Sequence, residues 1–207
     1  MKNLLNQEAL AAQEKNKIDL AQKLHDATAS ELNDHEKDLV KRYTRQTSNG
    51  NTGSLFLNKN LVKGVPLEKL VKRDQETHEM IMKHSKPSGH EVHLFSGTGR
   101  NFEDLNKHTK DNIFHFPAHT SLTHHRSVAT EFAEDKAMTN DSDDAHIMHI
   151  HVKPHDKILH VSRISEMPSE YETILPANSK LKYHGTSEHE YNYGNYKLHH
   201  FTVHSQD

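Results

Sequence analysis

Two carboxylates stand two residues apart in Ser169-Glu170-Tyr171-Glu172-Thr173-Ile174-Leu175-Pro176. The β-branched and apolar residues after them predict a strand. A strand's period of two would send Glu170 and Glu172 to one face and Tyr171 to the other. Acids that close resist double ionisation, so the pair suits general acid/base work or the stabilisation of a cation. Taken alone, the same spacing also describes a solvated strand entrance. The surrounding elements have to decide.

Histidine is the second unusual feature, at 21 of 207 residues. In His146-Ile147-Met148-His149-Ile150-His151-Val152 the alternation sets His149 and His151 on one face, a His-x-His pair of the kind zinc accepts. No third or fourth ligand follows at a recognisable spacing. The expectation is a polar strand face, no metal, and a net charge that changes between about pH 5 and 8.

The chain that must position these groups is polar, with 32% hydrophobic residues and a mean hydropathy of −0.92. Its length suits one domain with a thin core and an appended arm, and no second full domain is expected. A net charge of −3 offers no basic footprint for direct nucleic-acid binding. The absence of cysteine excludes disulfides and thiolate zinc sites. No run is apolar enough for a membrane span or a signal core, so a soluble, cytoplasmic protein is expected.

In chain order, Leu4 to Leu24 reads as a polar helix, and residues 1–30 as an extension preceding one domain over 31–207. Ser30 is the expected cap of a second helix carrying Leu32, Leu39, Val40 and Tyr43. A short apolar helix covers Leu55 to Leu61, and a third runs from Val65-Pro66 to His84. Past Lys86-Pro87-Ser88-Gly89 the texture turns to period two, in Glu91–Phe95, Ile113–Thr123, His146–Val152, Ile158–Val161, Glu172–Leu175, Lys180–His184 and Lys197–His204. Helices over 31–85 followed by strands over 90–207 predict an α+β fold with antiparallel pairing.

Three pieces of the strand-rich half then line up. They are Val92-His93-Leu94-Phe95-Ser96-Gly97; Ser121-Leu122-Thr123 leading into Ser127-Val128-Ala129-Thr130-Glu131-Phe132-Ala133; and Glu170-x-Glu172 before Ile174-Leu175. In this order they resemble the toxin-type mono-ADP-ribosyltransferases, including their phage-encoded branch. That family pairs an aromatic-Arg-Gly strand end with a Ser-Thr-Ser strand, a Val-Ala-x-x-Phe-Ala helix and a Glu-x-Glu. Glu36, Leu39, Tyr43-Thr44, Asn58 and Leu61 resemble its helical front, so the likeness covers about residues 32 to 204. It implies a helical N-terminal part packed on a mainly antiparallel, two-sheet core.

The resemblance further implies NAD as the substrate, with ADP-ribose passed to a protein acceptor, expected to be arginine, as nicotinamide leaves. Glu172 matches the glutamate that binds the nicotinamide ribose and stabilises an oxocarbenium-like transition state. Glu170 matches the acid that orients the acceptor guanidinium, and Ser121 the serine supporting the glutamate. Thr123 keeps the second hydroxyl of that strand, and Gly97 would let backbone approach the cofactor. Ser96 departs from the family, whose arginine there pins the pyrophosphate; a serine cannot neutralise phosphate. Arg100, in the turn after that strand, and Arg126, after the hydroxyl strand, are the candidate replacements. The alternative is a catalytically degenerate binding protein or virion-associated protein of the same fold. The phage-type likeness points to host takeover in a bacterial cytoplasm, with transcription or translation machinery as the acceptor.

Overall fold

The computed structural model describes residues 20–45, 53–107, 109–139, 144–191 and 194–204. Most of the helix expected over Leu4 to Leu24 lies outside them. Within them helices come first: α1 (20–31), α2 (Asp34–Thr44), α3 (Leu55–Val62) and α4 (Lys72–His84). Next are β1 (Lys86–Pro87), β2 (Val92–Thr98), α5 (Phe102–Asn106), β3 (Ile113–Phe116), β4 (Thr120–Thr123) and α6 (Arg126–Thr139). The remaining strands are β5 (Ala145–Val152), β6 (Lys157–His160), β7 (Glu172–Leu175), β8 (Ser179–Tyr191) and β9 (Gly194–Val203).

Local chemistry moved several boundaries. Ser30 does not cap α2; it lies inside α1 and donates to the Ala27 carbonyl at 2.7 Å. The cap is Asn33, which closes a reciprocal capping box with Glu36. Glu36 also receives Lys83 and His84 of α4 at 2.9 Å each, stapling the two helices. The expected third helix splits into a 3-10 turn at Leu67–Lys69 and α4. The run Ile113–Thr123 breaks at Pro117 into β3 and β4, which pair with different partners, β8 and β7. The boundary expected at residue 30 cuts α1, whose Ala21 and His25 are buried.

The strands form one nine-stranded sheet in the order β1-β6-β7-β4-β2-β5-β9-β8-β3, not the two sheets expected. Pairing is antiparallel except between β5 and β9. Yet the halves meet through a single register pair, Phe95 with Thr123. Beyond that rung β2 and β4 diverge, and the sheet opens. On one face Leu39, Val40, Tyr43, Leu57 and Ile81 of the helical front share a core with Leu159, Val161 and Ile174. The other face buries Leu94, Phe102, Leu122, Ile150, Leu175 and Phe201.

Helix α6 lies on β2, and Gly97 is the reason it can. A Cβ there would sit 2.4 Å from the Ala129 carbonyl oxygen and 2.5 Å from the Ala133 nitrogen. The glycine expected to admit a cofactor therefore admits a helix, with Ala129 and Ala133 as the small residues facing it. Gly97→Ala should cost about 3 kcal/mol, roughly 10 °C in Tm. A melt within a degree of the parent would show that the contact is looser than described.

Burial also changes what the histidines do. His25, His119 and His160 are buried, and burial, with neighbouring imidazoles, lowers their pKa to about 2, 3 and 3. They stay neutral where the unfolded chain, with an ordinary pKa near 6.5, takes up protons. Stability is thus complete above about pH 6.5 and is lost as pH falls below it, by up to ~1.4 kcal/mol per pH unit for each such residue. Glu172, raised to about 7, opposes one of them by taking up its proton in the native state. Melts between pH 7.5 and 5 should show a steep fall in Tm; a flat profile would mean that these rings are protonated in place.

Candidate active site

A cleft of about 790 Å³ opens where β2 and β4 part, lined by both strands, α3, α6 and the turn before β7. Glu172 is the first residue of β7, paired in register with Thr123, and only 7% exposed. Burial pushes its carboxyl up to about 7, and Glu170 adds to the rise. Hydrogen bonds from Ser121 and Ser165, the latter at 3.4 Å, pull it back. Ser121 sits on β4 two residues from Thr123, so both hydroxyls share the Glu172 side, as the sequence pattern required.

Glu170 reaches the cleft by a route the period-two reading did not foresee. It ends a 3-10 turn, Pro168–Glu170, and Tyr171 after it is left-handed at φ 49°. The strand begins only at Glu172. Thr123 Oγ1 donates to the Glu170 carbonyl at 2.5 Å, tying the turn to β4. Burial raises the Glu170 carboxyl, with Glu131 as the second cause.

Helix α1 holds the same loop from outside. The Ser162 amide donates to His25 Nδ1 at 3.0 Å, Arg163 pairs with Asp26 at 2.7 Å, and Gln22 donates to the Tyr171 hydroxyl at 3.4 Å.

Ser96, Gly97, Arg100 and Thr123 line the cleft with the two glutamates and Ser121. Arg126 is not among the lining residues. Its guanidinium lies over the Tyr196 ring at 5.0 Å and donates to the Tyr196 hydroxyl of β9.

Comparison with solved structures now bears on the arrangement. Plx2a, an ADP-ribosyltransferase toxin from Paenibacillus larvae, aligns with TM-score 0.69 at 15% identity, over 93% of this chain and 97% of its own. The Clostridium limosum C3 exoenzyme aligns with TM-score 0.67 at 17% identity, over 91% and 95%. C3stau2 from S. aureus, solved with NAD, aligns with TM-score 0.64 at 12% identity, over 90% and 95%. The chain has the ADP-ribosyltransferase toxin fold. No family model and no curated protein matches its sequence.

On this ADP-ribosyltransferase fold the cleft carries charges of both signs. Glu170 and Glu172 stand by the hydroxyls of β4, while Lys59, Lys63, Arg100 and Lys136 are its cationic lining. Lys136, on α6, donates to the Gly97 carbonyl at 2.8 Å; an i-to-i+7 step from Ala129 would have put it over β2. Asn58 donates to the buried Tyr43 hydroxyl at 3.3 Å, Tyr43 bonds Ser121, and Ser121 bonds Glu172. The Tyr43 hydroxyl has Ser54 as a further partner, and Ser121 is the residue that it shares with Glu172. The Asn58 Oδ1 atom is buried in the cleft with no partner among the described residues.

Three histidines that sequence spacing left scattered, His25, His124 and His160, converge behind β7 with nitrogens within 4.8 Å of one another. His25 Nδ1 accepts the Ser162 N–H, so its proton sits on Nε2, the nitrogen a metal would need. The set is a neutral imidazole cluster leaning on Thr173, which bonds His160 at 3.2 Å and His124 at 3.3 Å. Ser121→Ala should raise the Glu172 carboxyl above its present value, read by carbon-13 NMR titration of the glutamate carboxyls. An unmoved midpoint would detach the hydroxyl from the carboxylate.

Proposed function

We propose that the protein is an NAD-dependent mono-ADP-ribosyltransferase that moves ADP-ribose to a protein acceptor, an arginine side chain, releasing nicotinamide. The carrying observation is the buried Glu172 carboxylate, hydrogen-bonded by Ser121 at the head of β7 and opening onto the cleft. Cleavage of the glycosidic bond to nicotinamide leaves positive charge on the ribose. A fixed carboxylate in a dry site stabilises that charge as it develops. Glu170, in the same cleft, accepts hydrogen bonds from the incoming guanidinium and takes its proton as the new C–N bond forms. The orphan Asn58 Oδ1 supplies an acceptor for a sugar hydroxyl or the carboxamide N–H. A cleft lined by both acids and cations suits a substrate that is cationic at its reacting end and anionic elsewhere.

A second reading, a dinucleotide-binding protein without turnover, draws on Ser96, which brings no charge to the strand. The further reading of bacterial transcription or translation machinery as the acceptor, met in the cytoplasm, is supported by the phage-type resemblance.

Nicotinamide release from NAD tests the first reading. Glu172→Gln should lower kcat by about 10²–10³-fold, the usual scale for losing one preorganised stabilising group. Wild-type kcat/KM should fall as pH drops below about 7, because Glu172 then binds the proton that silences it. Glu170→Gln should keep NAD hydrolysis and lose transfer to a soluble guanidine acceptor. Absent release by the wild-type protein, with NAD still bound, would leave the second reading standing.

A further inference from the structure

The cations of the cleft divide into two sets. Lys59 and Lys63 stand one helical turn apart, exposed, on α3 and at its C-cap. Arg100 and Lys136 line the same cleft from different elements, the turn after β2 and the C-terminal end of α6. Burial pulls the Lys136 ammonium down, and Arg100 pulls it further, so the two positive groups feel each other. Like charges brought together at a partly desolvated position are unfavourable in the empty protein and become favourable when an anion sits between them. Lys136 is moreover fixed: its Nζ donates to the carbonyl of Gly97, next in sequence to Ser96, and Gly97 is where α6 packs most closely on β2.

We infer that Lys136, with Arg100 beside it, forms a diphosphate-binding position at the end of β2, so that a helix supplies the charge Ser96 leaves out of the strand. The diphosphate is that of NAD, and to that extent the inference rests on the function proposed above. An ammonium with three donors can keep its bond to the Gly97 carbonyl and still give one to a phosphate oxygen. Because Gly97 fixes how α6 lies on β2, it also fixes where Lys136 stands. Lys136 acts as a binding and positioning residue, apart from the bond being broken.

The test is calorimetric titration of the full chain with inorganic pyrophosphate, NAD and nicotinamide, alongside nicotinamide-release kinetics. Lys136→Ala should bind pyrophosphate and NAD roughly ten- to hundredfold more weakly, the scale of a charge-assisted hydrogen bond, with nicotinamide binding unchanged. KM for NAD should rise by a similar factor with kcat little altered, and Lys136→Arg should recover most of the loss. A purely structural role would weaken all three ligands together and move kcat, which overturns the inference. Unchanged pyrophosphate affinity in Lys136→Ala overturns it too, and leaves the transferase reading intact if the wild-type protein still releases nicotinamide. Pyrophosphate binding through Lys136 without any nicotinamide release would do the reverse, keeping the anion position and removing the transferase.

Discussion

One backbone rung, Phe95 to Thr123, joins the two halves of the sheet, and the cleft exists because the rung has no neighbours. Had β2 and β4 continued to pair, their edges would have been satisfied and the space between them closed. Instead β4 turns to β7 and β2 to β5, each with a full register of its own. The gap is covered by α6 on one side and by α2 and α3 on the other. Glu172 lies directly across β4 from the rung, so the carboxylate is buried at the one point where the sheet is continuous.

That placement explains why a single acid carries so much of the site. A carboxyl moved from water into a site this enclosed favours its proton, and its pKa reaches about 7 despite two hydroxyl donors. The polar groups around it are linked: Asn58 donates to Tyr43, and Ser121 is a partner of both Tyr43 and Glu172. Each comes from a different element, so the carboxylate reports whether the helical front is seated on the sheet. Among the described residues no such set of donors surrounds Glu170, which owes its position to the backbone of a 3-10 turn and to the Thr123 hydroxyl on its carbonyl.

Much of this was legible in the sequence, and what was missed has physical causes. Period two on Ser121-Leu122-Thr123 found the hydroxyl face, and the order of the three motifs found the fold, because both are local. Period two failed at Glu170 because Tyr171 adopts a left-handed backbone that restarts the register at Glu172. Gly97 was singled out for the cofactor and does line the cleft, but its missing Cβ also seats α6, which a sequence cannot show because it does not say which group fills the space. Arg126 and Lys136 illustrate the same limit. Both belong to α6, yet one is captured by Tyr196 of β9 and the other by the Gly97 carbonyl of β2, contacts 70 and 39 residues apart. The histidines were expected to titrate near neutrality because their number is visible and their burial is not.

The loop between β6 and β7 carries Glu170 near its end and leads into Glu172, and it is gripped from outside by a helix that none of the sequence motifs includes. Gln22, His25 and Asp26 hold Tyr171, the Ser162 amide and Arg163. A chain begun at residue 31 would retain every acid and hydroxyl of the cleft and nearly the whole span of the family likeness. It would also take away the partners that the Ser162 amide, the Arg163 guanidinium and the Tyr171 hydroxyl now have, all on the segment that leads to Glu170. The segment that holds the site in place is therefore longer than the span that the motifs mark.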